Sequence, residues 1–310
     1  MSRFGYTVLG FGGHTPAGGP GVWTTGTDTI NSNRYQSVAA GSSASAIIAG
    51  GSGTGDAEVG NGTTQTWSDA ADNLSSSPAN AASGGGTASS AIFIGGNRSG
   101  STTLICEKWT GSDWENADST TTVFTAAASS ATDKDNAWVC GGWNGSAISS
   151  KCEVLKDGTW ETEGDMLTDR LAMAKNQSGS GTNSAAVTGS TGSISDKNEQ
   201  HEFDGGSSAS ASAWSTHSPI TTGLTDDPSC FGQTSDDDLV VAFGENATAP
   251  QGDCLEYNNG SWTVGNTAPS THRNNYGGGP TGAGIVTGGY NETAGAYQDD
   301  TYIFTRAIST

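Results

Sequence analysis

A short apolar run closing on glycine returns along this chain at near-constant intervals, and that recurrence restricts the fold more than any other feature. Ala46-Ile47-Ile48-Ala49-Gly50-Gly51 aligns with Ala91-Ile92-Phe93-Ile94-Gly95-Gly96, Ala137-Trp138-Val139-Cys140-Gly141-Gly142 and Gly284-Ile285-Val286-Thr287-Gly288-Gly289. Ala186-Val187-Thr188-Gly189-Ser190 and Val240-Val241-Ala242-Phe243-Gly244-Glu245 read as two further copies that lack the second glycine. The first glycines, Gly50, Gly95, Gly141, Gly189, Gly244 and Gly288, are then 45, 46, 48, 55 and 44 residues apart. A unit of this size cannot bury its own apolar face, so copies must stack on one another.

Each unit continues with an acidic residue beside an apolar one: Glu58-Val59, Glu107-Lys108-Trp109, Glu153-Val154-Leu155, Glu202-Phe203, Glu256-Tyr257 and Asp300-Thr301-Tyr302. This reads as a third strand. Turn dipeptides such as Asn61-Gly62, Asp157-Gly158 and Asn259-Gly260 tolerate the positive φ of a two-residue hairpin. A tryptophan strand follows, with Trp67, Trp114, Trp160, Trp214 and Trp262 placed 17 to 25 residues after their glycines. The last unit has no such tryptophan, but Trp23 near the other end does the same job in the pattern. Trp23 to Arg34 and Trp262 to Arg273 are both eleven residues, so the N-terminal segment is expected to supply the fourth strand of the last blade. Closing a ring this way removes an exposed sheet edge.

An apolar strand ending in Gly-Gly, an acidic-x-aromatic strand and a Trp strand, at about fifty residues per copy, resemble the kelch repeat family of β-propellers. The resemblance covers roughly Gly21 to Thr305 and implies an all-β, six-bladed propeller over residues 20–310. Residues 1–19 are expected to form an N-terminal arm or extra edge strand. Their Tyr6-Thr7-Val8-Leu9-Gly10-Phe11-Gly12-Gly13 offers a seventh blade as the alternative. The glycines and the six tryptophans are read as structural positions, the Trp side chains filling the wedge between neighbouring sheets.

Composition narrows the function classes. Glycine supplies 47 of 310 residues, which signals either disorder or many tight turns. The regularly spaced aromatics favour thin, Gly-lined strands over disorder. A net charge of −20 without any Lys/Arg cluster argues against nucleic-acid phosphates as partners. No run approaches the ~18 apolar residues of a membrane helix, and no secretion signal is expected from Met1-Ser2-Arg3-Phe4-Gly5. The five cysteines, Cys106, Cys140, Cys152, Cys230 and Cys254, contain no C-x-x-C pair and are expected to be buried free thiols. Cys140 and Cys152 nevertheless stand where they can face each other across a hairpin.

The loops after the second and fourth strands of each blade share one face, and variable loops on a rigid ring are where recognition concentrates. Asn97, Arg98, Trp143, Asn144, Asn246, Tyr290 and Asn291 follow the glycines there and offer aromatic, amide and guanidinium groups suited to a sugar or a protein surface. Asp133-Lys134-Asp135-Asn136 and Asp236-Asp237-Asp238 lack the spaced ligands of a calcium loop and are read as solvated turns. The histidines show no metal or nucleophile spacing, so neither a cofactor nor a metal is expected.

The leading expectation is a non-enzymatic structural and recognition protein of a bacteriophage virion, in a tail, fibre or capsid-associated place within a larger assembly. The composition resembles repeat-rich structural proteins of marine phages, and that resemblance implies the location. Residues 1–19 would contact another virion protein, and the long-loop face would meet host-surface glycan or a further subunit. A secreted or surface carbohydrate-binding propeller is the alternative. A polysaccharide-acting enzyme using carboxylates among Asp226, Asp227, Glu245 and Asp253 is a third class.

Overall fold

Each repeat folds as an antiparallel meander because its apolar run pairs with small residues before it and with the acidic strand after it. In the computed structural model the chain is all β, with no helix among the described residues and so none able to cross a membrane. The structure describes residues 20–51, 54–61, 66–75, 78–80, 83–98, 100–171, 175–176, 184–188, 198–202, 214–220, 227–232, 238–245, 249, 251–258, 261–273, 276–280, 282–291 and 293–306. The proposed arm over 1–19, and with it the seventh-blade alternative, lies outside them, as do Gly189, Asp226, Asp236, Asp237 and Asn246.

Five sheets of four or more strands are arranged as propeller blades. From the axis outward, the first is Val38–Ser42, Ser45–Ala49, Ala57–Asn61 and Thr66–Asp69; the second is Ser83–Thr87, Ser90–Ile94, Cys106–Trp109 and Trp114–Ala117. The third is Ala128–Asp133, Asn136–Cys140, Cys152–Lys156 and Thr159–Glu163; a later one is Ser229–Gly232, Asp238–Ala242, Cys254–Asn258 and Ser261–Val264. The closing blade runs Tyr276–Gly278, Gly284–Thr287, Thr301–Thr305 and, outermost, Val22–Thr25 from the other end of the chain, with Trp23 opposite Phe304. Against the six blades expected, the unit around Ala186-Val187-Thr188 gives a three-stranded sheet, Ser184–Thr188, Asn198–Glu202 and Ser215–His217. Lys175–Asn176, which precedes it, pairs instead in parallel with Ser229 and Cys230.

Small residues near the axis let the innermost strands approach closely. Ser129 Oγ donates to Gly84 O at 2.8 Å and accepts from Gly84 N at 2.7 Å across two blades. A Cβ on Gly84 would stand 2.2 Å from Ile92 O, so this contact depends on glycine. Outer tryptophans join blade to blade: Trp160 Nε1 donates to Asp118 O, Trp214 to Gly164 O and Trp262 to Ser218 O, each at 2.9 Å, on the chain leaving the preceding outer strand. Trp67 Nε1 reaches Thr301 Oγ1 of the closing blade at 3.0 Å. All six tryptophans, Trp23, Trp67, Trp114, Trp160, Trp214 and Trp262, are buried. Truncating such a side chain to Ala costs roughly 3–5 kcal/mol.

The second strands end in a pair of left-handed residues, and the second of the pair ties its blade to the next connector. Gly96 N donates to Phe124 O, Gly142 N to Arg170 O, Gly289 N to Arg34 O and Gly244 N to His272 O. A Cβ on Gly142 would stand 2.4 Å from Thr125 O, which is why that place needs glycine. This pattern corrects the alignment of the Phe243-Gly244 unit. Phe243 N bonds Asp253 O as Gly141 N bonds Lys151 O, so Phe243 holds the first-glycine place and Gly244 the second. The unit has lost its first glycine, and Phe243 carries φ 62° there with its ring wholly buried.

The same registers correct the acidic series. Glu58, Glu107 and Glu153 pair with Ile48, Phe93 and Val139, two residues before the first glycine. Leu255, Tyr302 and Glu199 fill that place in the other sheets, so Glu256 lies one residue and Glu202 three residues beyond it. Glu256 consequently points from the opposite side of its strand, where it accepts from Gly21 N at 2.9 Å and Arg306 at 2.8 Å.

Cys140 and Cys152 form a disulfide, which corrects the expectation of five free thiols. They sit directly opposite each other in the ladder with Cα atoms 4.2 Å apart, a non-hydrogen-bonded pair close enough to bridge. Cys106, Cys230 and Cys254 are free, and burial pushes their thiols up to about 11, 12 and 12, which keeps them protonated and unreactive.

Candidate functional site

The connectors that carry each chain segment into the next blade place one side chain at an equivalent buried position. Arg34, Phe124, Arg170 and His272 fill it, identified by the carbonyl bond each accepts from the preceding glycine, and all four are fully buried. The equal Trp-to-Arg spacings of Trp23–Arg34 and Trp262–Arg273 are therefore coincidental: Arg34 stands in the place of His272, and Tyr35 in that of Arg273. One extra residue in the first connector produces the match.

Under the first blade this position is ionic. Arg34 donates to Glu58 at 2.5 Å, to Asp56 O at 2.7 Å and to Gly50 O at 3.2 Å, while Glu58 also accepts from Asn31 N. Glu153 instead receives Thr121 N, Thr121 Oγ1 and Thr122 N, a set of local donors that needs no cation. Glu107 takes Ser75 N and the guanidinium of Arg98.

Under the closing blade the position is held by a buried imidazole that connects through Ser270 to Asn291. His272 Nε2 lies 3.2 Å from Ser270 Oγ and 4.0 Å from Asp300 Oδ2, and its Nδ1 meets no partner among the described residues. Burial holds the imidazole below its ordinary range, with Asp300 opposing that shift. Tyr302 donates to Asp300 at 3.1 Å, and burial raises its phenol above the usual range. Phe243 and Tyr302 enclose the imidazole at centroid distances of 6.0 and 5.4 Å.

Above this lies a group of aromatic and charged side chains drawn from four connections. Tyr35 and Tyr297 stack in parallel, with centroids 4.2 Å apart and planes 7° apart. Tyr290 meets Tyr297 edge-on at 5.7 Å, and the Arg273 guanidinium lies 5.5 Å over the Tyr290 ring. Arg273 also pairs with Glu245 at 2.9 Å. Tyr297 is the most open of the three rings, 41 % exposed, because its short hairpin with Tyr290–Asn291 lifts it from the ring while Asn33 Nδ2 holds its carbonyl at 2.7 Å. Asn291 supports the group from within, donating to Ser270 at 3.2 Å and accepting from Ala294 N.

Of the residues singled out from sequence, Tyr290, Asn291 and Glu245 thus join one cluster, and Asn246 lies outside the described residues. Trp143 and Asn144 sit on the third blade, apart from it. Trp143 is 39 % exposed, while Asn144 spends its side-chain oxygen on Ser146 and Ala147 inside its own turn. Asn97 and Arg98 belong to a small sheet at the second blade. Arg98 is buried against Glu107, so its guanidinium is not offered to a ligand, a correction that follows from the buried carboxylate needing a cation. Tyr35, Tyr297, Ser270, His272 and Asp300 escaped selection because they flank connectors or the far side of a hairpin, not the glycine pair.

On the opposite face, an open cleft of about 630 Å³ is lined by Ser90, Lys108, Asp133, Asp135, Asn136 and Asp157. Two of its carboxylates are engaged locally, Asp135 by Lys134 and Lys108, and Asp133 by Asn136 and Asp135 N.

No family model matches the chain, and no curated protein matches it. Among solved structures it is similar to one described as "Structure of YjhT", with a TM-score of 0.73 at 12% identity, covering 89% of this chain and 96% of that one. At that identity the likeness concerns the fold alone, and it identifies the chain as a β-propeller.

Proposed function

We propose that the chain is a non-enzymatic recognition propeller of kelch type, with the three-stranded sheet of Ser184–Thr188 as its sixth blade, working as a bacteriophage virion component. The tyrosine cluster of the closing blade carries the recognition reading. Stacked and edge-on rings beside one Arg–Glu pair form a rigid amphipathic platform, the chemistry by which glycans and protein loops are held.

Two further observations support the reading, one on the environment and one on the surface. The Cys140–Cys152 disulfide belongs to an oxidising environment, which virion and cell surfaces share. All the exposed large apolar side chains of the described loops, Leu104, Ile105, Trp143, Leu167 and Tyr297, lie on the face that carries the cluster. Contact with other virion proteins, residues 1–19 among the contacting segments, belongs to this reading, and nucleic acid and membrane insertion do not.

Mass spectrometry of purified particles tests it. The intact chain is expected at fixed stoichiometry; recovery only as free extracellular protein transfers the cluster to the second reading, a secreted carbohydrate-binding propeller. That alternative is favoured by the same disulfide and the same rings.

A further inference from the structure

We infer that the closing-blade cluster binds the non-ionic face of a neutral pyranose, with the open side of Tyr297 as its stacking platform; this rests on the recognition reading above. A pyranose ring presents C–H groups on one face and hydroxyls around its edge. It therefore needs an exposed, immobilised aromatic plane with donors and acceptors at the rim. Tyr297 supplies the plane. Its parallel contact with Tyr35 and edge contact with Tyr290 hold the ring in one orientation, so little side-chain freedom remains to be lost on binding.

The rim sets the charge of the ligand. Arg273 is the cation of the cluster, and Glu245 already engages it at 2.9 Å. Asp300 lies just beneath, on Tyr302 and beside His272, and Asp299 precedes it in the chain, so one guanidinium, already paired, is set among acidic segments of a chain of net charge −20. A uronate or sialate would meet this surplus of like charge in a partly solvated site and be repelled. Hydroxyls instead use both halves of the rim, donating to Glu245 and accepting from Arg273. The exposed ring on the third blade, Trp143, has no stacked partner among the described residues and provides an internal control.

The test measures binding of the full chain to immobilised neutral oligosaccharides of glucose, galactose and mannose, and to polygalacturonate and sialyllactose. The expected result is binding to at least one neutral series, weakened tenfold or more by Tyr297→Ala, kept by Tyr297→Phe and unchanged by Trp143→Ala. Circular dichroism melting shows whether Tyr297→Ala folds; should it not, Arg273→Ala carries the same expectation. Binding confined to the acidic glycans overturns the inference, as does neutral binding that survives Tyr297→Ala, and either leaves the recognition reading standing. Silence towards every glycan also overturns it. If the chain then captures a purified particle protein through the same face, recognition stands; if it captures none, both readings fall.

Discussion

The first blade and the closing blade solve one packing problem in opposite ways. Both bury a connector side chain against the third strand, Arg34 on Glu58 in one and His272 beside Tyr302 in the other. The ionic solution is closed: the guanidinium reaches Glu58, Asp56 O and Gly50 O. In the neutral solution, a smaller imidazole connects through Ser270 to Asn291 and so to the surface cluster. A repeat position that is purely structural in one blade thus becomes the floor of the candidate site in another.

The comparison breaks most visibly at Glu58. Glu58→Ala leaves a buried guanidinium without its carboxylate and is expected to cost roughly 3–5 kcal/mol in thermal or denaturant unfolding. A cost well under that range would mean the two carbonyl oxygens suffice, and the first blade would then be no more dependent on charge than the closing one.

Acid should distinguish the blades next. His272 is held below 6.5 by burial, so the unfolded chain takes up its proton at higher pH than the folded chain does. The contribution is complete above about 6.5 and is lost as pH falls beneath it, with a slope no steeper than ~1.4 kcal/mol per pH unit. Urea unfolding of the wild type and His272→Gln between pH 7.5 and 5 isolates it. The variant should show the shallower dependence, and parallel curves would remove His272 from the account.

Tyr302→Phe is the mildest probe. It deletes one hydrogen bond to Asp300 and keeps the ring, so about 1 kcal/mol is expected. A loss as large as that of Glu58→Ala would show that the neutral blade relies on its polar contact as heavily as the ionic one.

Much of the ring was legible because apolar runs and tryptophans must recur wherever blades stack. Strand order and the joining of Val22–Thr25 to Thr301–Thr305 follow from that recurrence. Register was less legible where one residue departed from type. Phe243 accepts a left-handed backbone that glycine fills elsewhere, its ring held by Trp23, His272 and Tyr302, and so the glycine that remained suggested the wrong phase. The site was legible only where it follows the second glycine of a unit, at Glu245, Tyr290 and Asn291. Tyr35 and Tyr297 come from opposite ends of the chain and meet only after the ring closes. The same local rule selected Arg98, whose buried partner Glu107 is visible only once the third strand is in place.

The closing blade also determines how the molecule answers a pull. Val22 lies opposite Thr305, so the chain segments before and after this strand pair depart from the same corner. Tension between them would load the ladder one rung at a time, peeling it from the corner, the weaker of the two ways to separate paired strands. Glu256, on the neighbouring blade, grips Gly21 N and Arg306 at that fork. The first rung to feel the load is therefore clamped by a carboxylate from outside the peeling sheet, and the ring resists opening at the place where mechanical failure would begin.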